Sequence, residues 1–246
     1  MLSKTFAKYI QSLHHKKFRD SENAFIAEAD KTVMELLHSQ KFNCLHIAAT
    51  ADWLQSNETA LKKLYDGPLH SIQDFELEKI SALSTPNQVL AVFDKPRQTA
   101  IVNTQKLILA LDDIRDPGNM GTIIRIADWF GIDSMLCSVQ CADIYNPKVV
   151  QSTMGSLGRV NVLYTDLAEC IKTNQPSEIY AAALNGKNIN SFQPVKNGVI
   201  IIGNEARGIS NELMQLATEK ITIPRKGNAE SLNAAVATGI LLSYLA

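Results

Sequence analysis

The run Val199-Ile200-Ile201-Ile202 constrains the fold more than any other stretch of the chain. A strand with one wet face alternates apolar and polar residues. Four successive branched apolar residues instead belong to a strand covered on both faces, the usual state in a parallel sheet. Shorter strand signals recur at Leu107–Leu111, Ser134–Cys137, Val160–Tyr164, Ile179–Ala183 and Ile221–Ile223. Helical periodicity appears at about Asn119–Phe130, Leu167–Thr173 and Asn211–Ala217, and a last helix covers Leu232–Leu245. This alternation predicts an α/β domain whose mostly parallel sheet is covered by helices. Ligands of such sheets bind beyond the carboxyl ends of the strands, so the loops after Leu111, Ala183, Ile202 and Ile223 are the ones to inspect.

The first hundred residues also alternate, less cleanly. The pattern predicts helices at Thr5–Leu13, Lys31–His38 and Glu58–Leu64, with strands at Ala24–Ala27, Leu45–Ala49 and Val89–Phe93. The polar stretch Asp94-Lys95-Pro96-Arg97-Gln98 opens a candidate boundary. The expected division is a domain over 1–95, a linker over 96–106 and a second domain over 107–246. A chain of 246 residues with 46% apolar content can bury two ordinary cores.

The formal net charge is -1, so any nucleic-acid surface must be local. One basic patch is visible: Lys4, Lys8, Lys16, Lys17 and Arg19 face only Asp20 within the first twenty residues. A solvated amphipathic helix explains such a run as readily as a binding surface does. Cys44, Cys137, Cys141 and Cys170 form no C-x-x-C pair and have no histidine at zinc-ligand spacing, so no metal and no disulfide framework is expected. Met1 leads into polar sequence and no run of about eighteen apolar residues occurs, which predicts a soluble cytoplasmic protein.

Three blocks in the second half hold the unusual residues. In the first, Asp112-Asp113-Ile114-Arg115-Asp116-Pro117-Gly118-Asn119, a strand stops at a Pro-Gly turn and a helix begins near Asn119, the expected N-cap. Arg125 follows within two turns, well placed to hold a phosphate. The second block, Gly203-Asn204-Glu205-Ala206-Arg207-Gly208-Ile209-Ser210, has two glycines that allow close backbone approach, and Ser210 is positioned to cap the next helix. The third, Ile223-Pro224-Arg225-Lys226-Gly227-Asn228-Ala229-Glu230-Ser231-Leu232-Asn233, runs into the small residues of the last helix, with Ser231 as the expected cap. Neither G-x-G-x-x-G nor G-x-x-x-x-G-K-[ST] occurs, which excludes a nucleotide-phosphate cradle and a nicotinamide oxidoreductase.

In this order the three blocks resemble the SpoU (TrmH-type) branch of the SPOUT RNA methyltransferases over about 140 residues. The resemblance implies an S-adenosylmethionine-dependent RNA 2′-O-ribose methyltransferase, a deep trefoil knot in the C-terminal domain and a homodimer. The family's invariant polar residues fall on Asn119, Arg125, Glu205, Ser231 and Asn233. Cofactor contacts are implied for Leu184, Asn185, Gly186, Gly203, Asn204, Glu205, Ile223, Pro224, Ser231, Leu232 and Asn233. Ala206 stands where the family commonly has Gly, and Arg225 where it frequently has Met. The N-terminal part resembles the family's ribosomal-protein-like α/β/α substrate domain through Lys16, Lys17, Arg19, Phe25 and Glu28, with Ala29 in place of a usual Gly. That implies RNA contacts for Lys16, Lys17, Arg19, Arg125 and Arg225. The substrate domain favours large-subunit rRNA, with tRNA or a catalytically silent ribosome-assembly role as alternatives.

Overall fold

The computed structural model describes residues 2–96 and 103–246, so the expected linker 96–106 lies partly outside the described residues. The chain divides into two compact units, one formed by Met1–Arg97 with Asp143–Arg159 and the other by Gln98–Ala142 with Val160–Ala246.

The first unit begins with helices α1 (Lys4–Ser12) and α2 (Lys16–Ser21), followed by β1 (Ala24–Glu28), α3 (Asp30–Ser39), β2 (Cys44–Ala49), α4 (Ala51–Leu64), β3 (Leu69–Ser71), α5 (Asp74–Ile80) and β4 (Val89–Asp94). The sheet order is β1-β4-β2-β3, antiparallel at β4 and parallel between β2 and β3. Its helices start at recognisable caps: the Ser3 hydroxyl accepts the Phe6 N–H, Thr50 accepts the Trp53 N–H, and Gln73 with Glu76 forms a capping box. Ile10 and Leu13 from the first helical segment pack with Ile26, Leu77, Leu90 and Val92 in this unit's core. α2, β3 and α5 were not anticipated; each is seven residues or shorter, too brief for a periodicity signal.

Ala29, between β1 and α3, has φ 72° and ψ 143°, a conformation that glycine adopts freely and an L side chain does not. Ala29→Gly is therefore expected to stabilise the protein by about 1 kcal/mol, relief of strain outweighing the added freedom of the unfolded chain. An upward shift of the urea midpoint would register it; an unchanged or lowered midpoint would contradict the assignment of strain.

The second unit contains β5 (Leu107–Asp112), α6 (Pro117–Trp129) and β6 (Ser134–Cys137) before the chain enters the segment that packs with the first unit. That segment carries α7 (Pro147–Thr153) and a 3₁₀ turn at Ser156–Gly158. The chain then forms β7 (Asn161–Tyr164), α8 (Leu167–Asn174), β8 (Ile179–Asn188), β9 (Gly198–Gly203), α9 (Asn211–Leu216), β10 (Glu219–Thr222) and α10 (Ala234–Leu245). The six strands run in the order β10-β8-β9-β5-β6-β7 and every pair is parallel. Val199, Ile200, Ile201 and Ile202 are all buried, as a central strand covered on both faces requires.

Two expectations change here. Asp143–Arg159, assigned from the sequence to the second domain, belongs by its packing to the first unit. Arg19, expected at an RNA surface, is only 2% exposed. Its guanidinium donates to the Asp143 carboxylate at 2.7 and 3.2 Å and to the Leu13 and His14 carbonyls at 3.1 and 2.9 Å. Phe25 is buried too, against Phe42, Phe93 and Tyr145. Glu28 accepts from the Ser81 hydroxyl and the Ala82 N–H at the start of the 81–88 loop, and burial pushes its carboxyl above the usual carboxylate range. Lys16 pairs with Asp20 at 2.7 Å, and Lys17 is exposed and forms no ion pair among the described residues.

Candidate active site

The site forms where the strand order of the parallel sheet reverses. β5 and β9 are neighbours, with Leu111 opposite Ile202 and Asp112 opposite Gly203, so the loops that leave them start side by side at the carboxyl ends. These loops are tied together. The buried Asp112 carboxylate accepts the Ser210 N–H at 2.7 Å, and Asn204 donates its amide N–H to the Asp113 carbonyl at 2.8 Å. The Asn204 amide oxygen accepts from the N–H groups of Ala206 and Arg207, and its main chain pairs with Gly208 in both directions. Asn204, implied as a cofactor contact, thus spends its whole side chain shaping the loop. A Cβ at Gly203 would overlap the main chain of Gly208 and Ile209, which is why this close turn carries no side chain.

The first block differs from the sequence reading in one respect that matters. Asp116, not Asn119, caps α6: its carboxylate accepts the Asn119 N–H at 2.7 Å, with Pro117 at the first helical position. The Asn119 side chain is thereby free for longer-range contacts. Its amide nitrogen donates to Glu205 Oε1, and its oxygen accepts from Asn233 Nδ2 at 2.8 Å. Asn233 in turn caps α10, the role expected of Ser231, by accepting from the N–H groups of Ala235 and Val236 at 3.0 and 3.2 Å.

This network fixes its own orientations. The helix N–H groups can only donate, so Asn233 must turn its oxygen to α10 and its NH₂ to Asn119, which must then turn its NH₂ to Glu205. A directional chain of hydrogen bonds therefore runs from the positive end of α10 to a carboxylate and joins all three blocks. Arg125 and Ser231 remain outside it. Both are exposed, and among the described residues Arg125 pairs with no carboxylate.

Beside the network lies a cleft of about 650 Å³, lined by Leu184, Ile202, Gly203, Ile223, Pro224 and Leu232 among others. Apart from the Ala229 carbonyl, which accepts from Arg225 Nη1 at 3.2 Å, the main chain from Pro224 to Leu232 makes no hydrogen bond among the described residues. Apolar walls with uncommitted main-chain donors and acceptors suit the flat face and polar edges of an adenosine. Of the implied cofactor residues, Asn233 does not line this cleft, and neither do Asn185 and Gly186. The latter two continue β8, where a Cβ on Gly186 would come within 2.6 Å of the Ile221 nitrogen on β10. Among the described residues no group of three or more His, Cys, Asp or Glu is arranged to hold a metal, and no helix is long and apolar enough to cross a membrane.

The sequence pattern of the SpoU rRNA Methylase family matches residues 106–243, more than half of the chain. The chain belongs to that family. Residues 4–91 match the MRM3-like substrate binding domain. Within the family, the chain is 29% identical over 240 residues to the 23S rRNA (guanosine(2553)-2'-O)-methyltransferase RlmP of Bacillus subtilis, covering 96% of this chain and 93% of that protein. A putative RNA methyltransferase of the TrmH family from Porphyromonas gingivalis superposes with a TM-score of 0.88 at 35% identity, over 99% of this chain and 97% of that one. An AdoMet-bound rRNA methyltransferase from Sinorhizobium meliloti superposes with a TM-score of 0.86 at 28% identity, over 98% and 94% of the two chains. The SpoU match thus covers the parallel α/β domain, and the MRM3-like match covers the N-terminal part.

Proposed function

We propose that the protein transfers the methyl group of S-adenosylmethionine to a ribose 2′-hydroxyl of large-subunit rRNA. The observation that carries this is the Glu205–Asn119–Asn233 network at the wall of a cleft suited to adenosine, with Arg125 free on the adjoining helix. Bound there, S-adenosylmethionine would supply an electrophilic methyl on a sulfonium to the ribose oxygen. The chain must align that oxygen and stabilise it as its proton departs. A guanidinium donates hydrogen bonds and carries positive charge, so the part of Arg125 is to hold the substrate phosphate and the developing negative charge on oxygen. Glu205, Asn119 and Asn233 fix the walls of the site. Leu184, Ile223 and Leu232 give the cofactor side apolar walls, and Ser231 lines the same cleft. Similarity to the Bacillus subtilis 23S rRNA enzyme across 93% of its length, including a substrate-binding domain, favours rRNA over tRNA. Incubation with labelled S-adenosylmethionine and fractionated unmodified RNA tests the assignment directly.

The same reading includes a trefoil knot and a homodimer. In support of the knot, β10 lies at the sheet edge beyond β8, yet the chain then returns as α10 to pack on α6, which follows the central β5. In support of the dimer, α10 is apolar on nearly every side, a pattern that belongs to a covered helix, but Val236 and Tyr244 are about half exposed. Trp129, at the end of α6, is 84% exposed. A second copy of the chain is the occupant we assign to this face. Sedimentation should therefore report a dimer that Val236→Glu with Tyr244→Glu converts to monomers; an active wild-type monomer would contradict it.

A further inference from the structure

Arg115 and Arg207 come from loops far apart in sequence, and both reach the carboxylate of Asp113. Arg115 Nε donates to Asp113 Oδ1 at 2.6 Å, and Arg207 Nη1 lies 3.9 Å from Asp113 Oδ2. Asp113 is itself a fixed post. Its φ is 59°, its N–H donates to the Ser138 hydroxyl at 2.9 Å, and its carbonyl accepts from Asn204 at 2.8 Å. Its side chain is only 16% exposed, whereas those of Arg115 and Arg207 are 57% and 73% exposed. The carboxylate thus sits behind two arginines that face solvent. Because Arg115 uses Nε for the brace, its two terminal nitrogens stay free, and Arg207 keeps most of its fork as well. The other nearby acids are engaged: Asp116 caps α6, and Glu205 accepts from Asn119.

From this geometry we propose a second RNA-backbone site, in which Arg115 and Arg207, pre-oriented by Asp113, hold a phosphodiester beside the catalytic loops. Two guanidiniums on one partly buried carboxylate carry a net positive charge and present planar donors, the chemistry that phosphodiester oxygens take. A brace that served only the loop would not need two exposed arginines on one carboxylate. Arg207 also lines the proposed cofactor cleft, so the phosphate would be held next to the reacting nucleotide. The inference rests on the reading of the protein as an RNA methyltransferase and identifies where the substrate's backbone is gripped.

The test is the salt dependence of binding to an unmodified 23S rRNA transcript for the wild type, Arg115→Gln and the double variant Arg115→Gln/Arg207→Gln. Each arginine that neutralises a phosphate should contribute about 0.7–1 to the slope of log K against log salt. The double variant should therefore show a slope shallower by about 1.4–2, and the single variant about half that change, with the RNA KM raised more than kcat is lowered. Arg115→Gln changes an exposed side chain and keeps the measurement possible if the double variant folds poorly. Slopes equal to wild type, with or without a loss of thermal stability, would reduce the arginines to a loop brace and overturn the proposal. If the wild type binds the transcript but transfers no methyl to it, the functional reading fails, while the slopes still decide the phosphate site.

Discussion

Arg125→Ala is expected to lower kcat by about 100-fold or more while leaving S-adenosylmethionine binding close to wild type. The reason is geometric. Arg125 stands outside the Glu205–Asn119–Asn233 hydrogen-bond chain, is exposed on α6, and among the described residues pairs with no carboxylate, so its removal is expected to disturb little internal structure. What disappears is a fixed positive charge for the substrate phosphate and the nascent ribose alkoxide. Arg125→Lys should recover only part of the loss, because an ammonium keeps the charge without the planar fork. Single-turnover assays with saturating cofactor, alongside calorimetric titration of the cofactor, separate the two effects. Turnover preserved in Arg125→Ala would remove this residue from the chemistry.

The largest stability effect is expected at Asp143→Ala, with a loss of about 3–5 kcal/mol, because the substitution leaves the Arg19 guanidinium buried without its anion. The two remaining partners of Arg19 are the Leu13 and His14 carbonyls, which satisfy hydrogen bonds but not charge. Asp143→Asn, which can still accept from the guanidinium, should lose less. Urea unfolding of the two variants measures the difference. A loss below about 1 kcal/mol for Asp143→Ala would mean that water reaches Arg19 in solution. The pair also explains why residues 143–159 group with the first unit: Asp143 holds Arg19, Tyr145 packs on Phe25 and Phe42, and Arg159 pairs with Glu35.

Much of the second unit could be read from the chain because its strands are continuous apolar runs. β5, β6 and β9 fall within a residue of the expected bounds, and the loops singled out from the sequence hold Glu205 and lead to Asn119 and Asn233, which bond to one another. The failures have physical causes. Arg19 reads as a surface base because its neighbours are basic, while the carboxylate that buries it lies 124 residues away. No local pattern encodes such a pair.

Some features do carry a local signal. Asn146-Pro147 and Asp116-Pro117 both place a capping residue before proline at the first helical position, a signal that marks the start of α7 and would have moved the α6 cap from Asn119 to Asp116. Asn233 and Ser231 are both capping residue types two positions apart, and only the contact with Asn119 distinguishes them. The joining role of Asn119 was likewise invisible, since it depends on partners 86 and 114 residues distant. The approach of Arg207 to Asp113 is non-local in the same way.

The central claim is the reaction itself, and one measurement meets it most directly. Wild-type protein is incubated with methyl-labelled S-adenosylmethionine and unmodified total RNA, the rRNA and tRNA fractions are separated, and the labelled nucleoside is released and identified. The account predicts label on a ribose 2′-oxygen within large-subunit rRNA. Label on a base, label confined to tRNA, or no transfer to any RNA would contradict it.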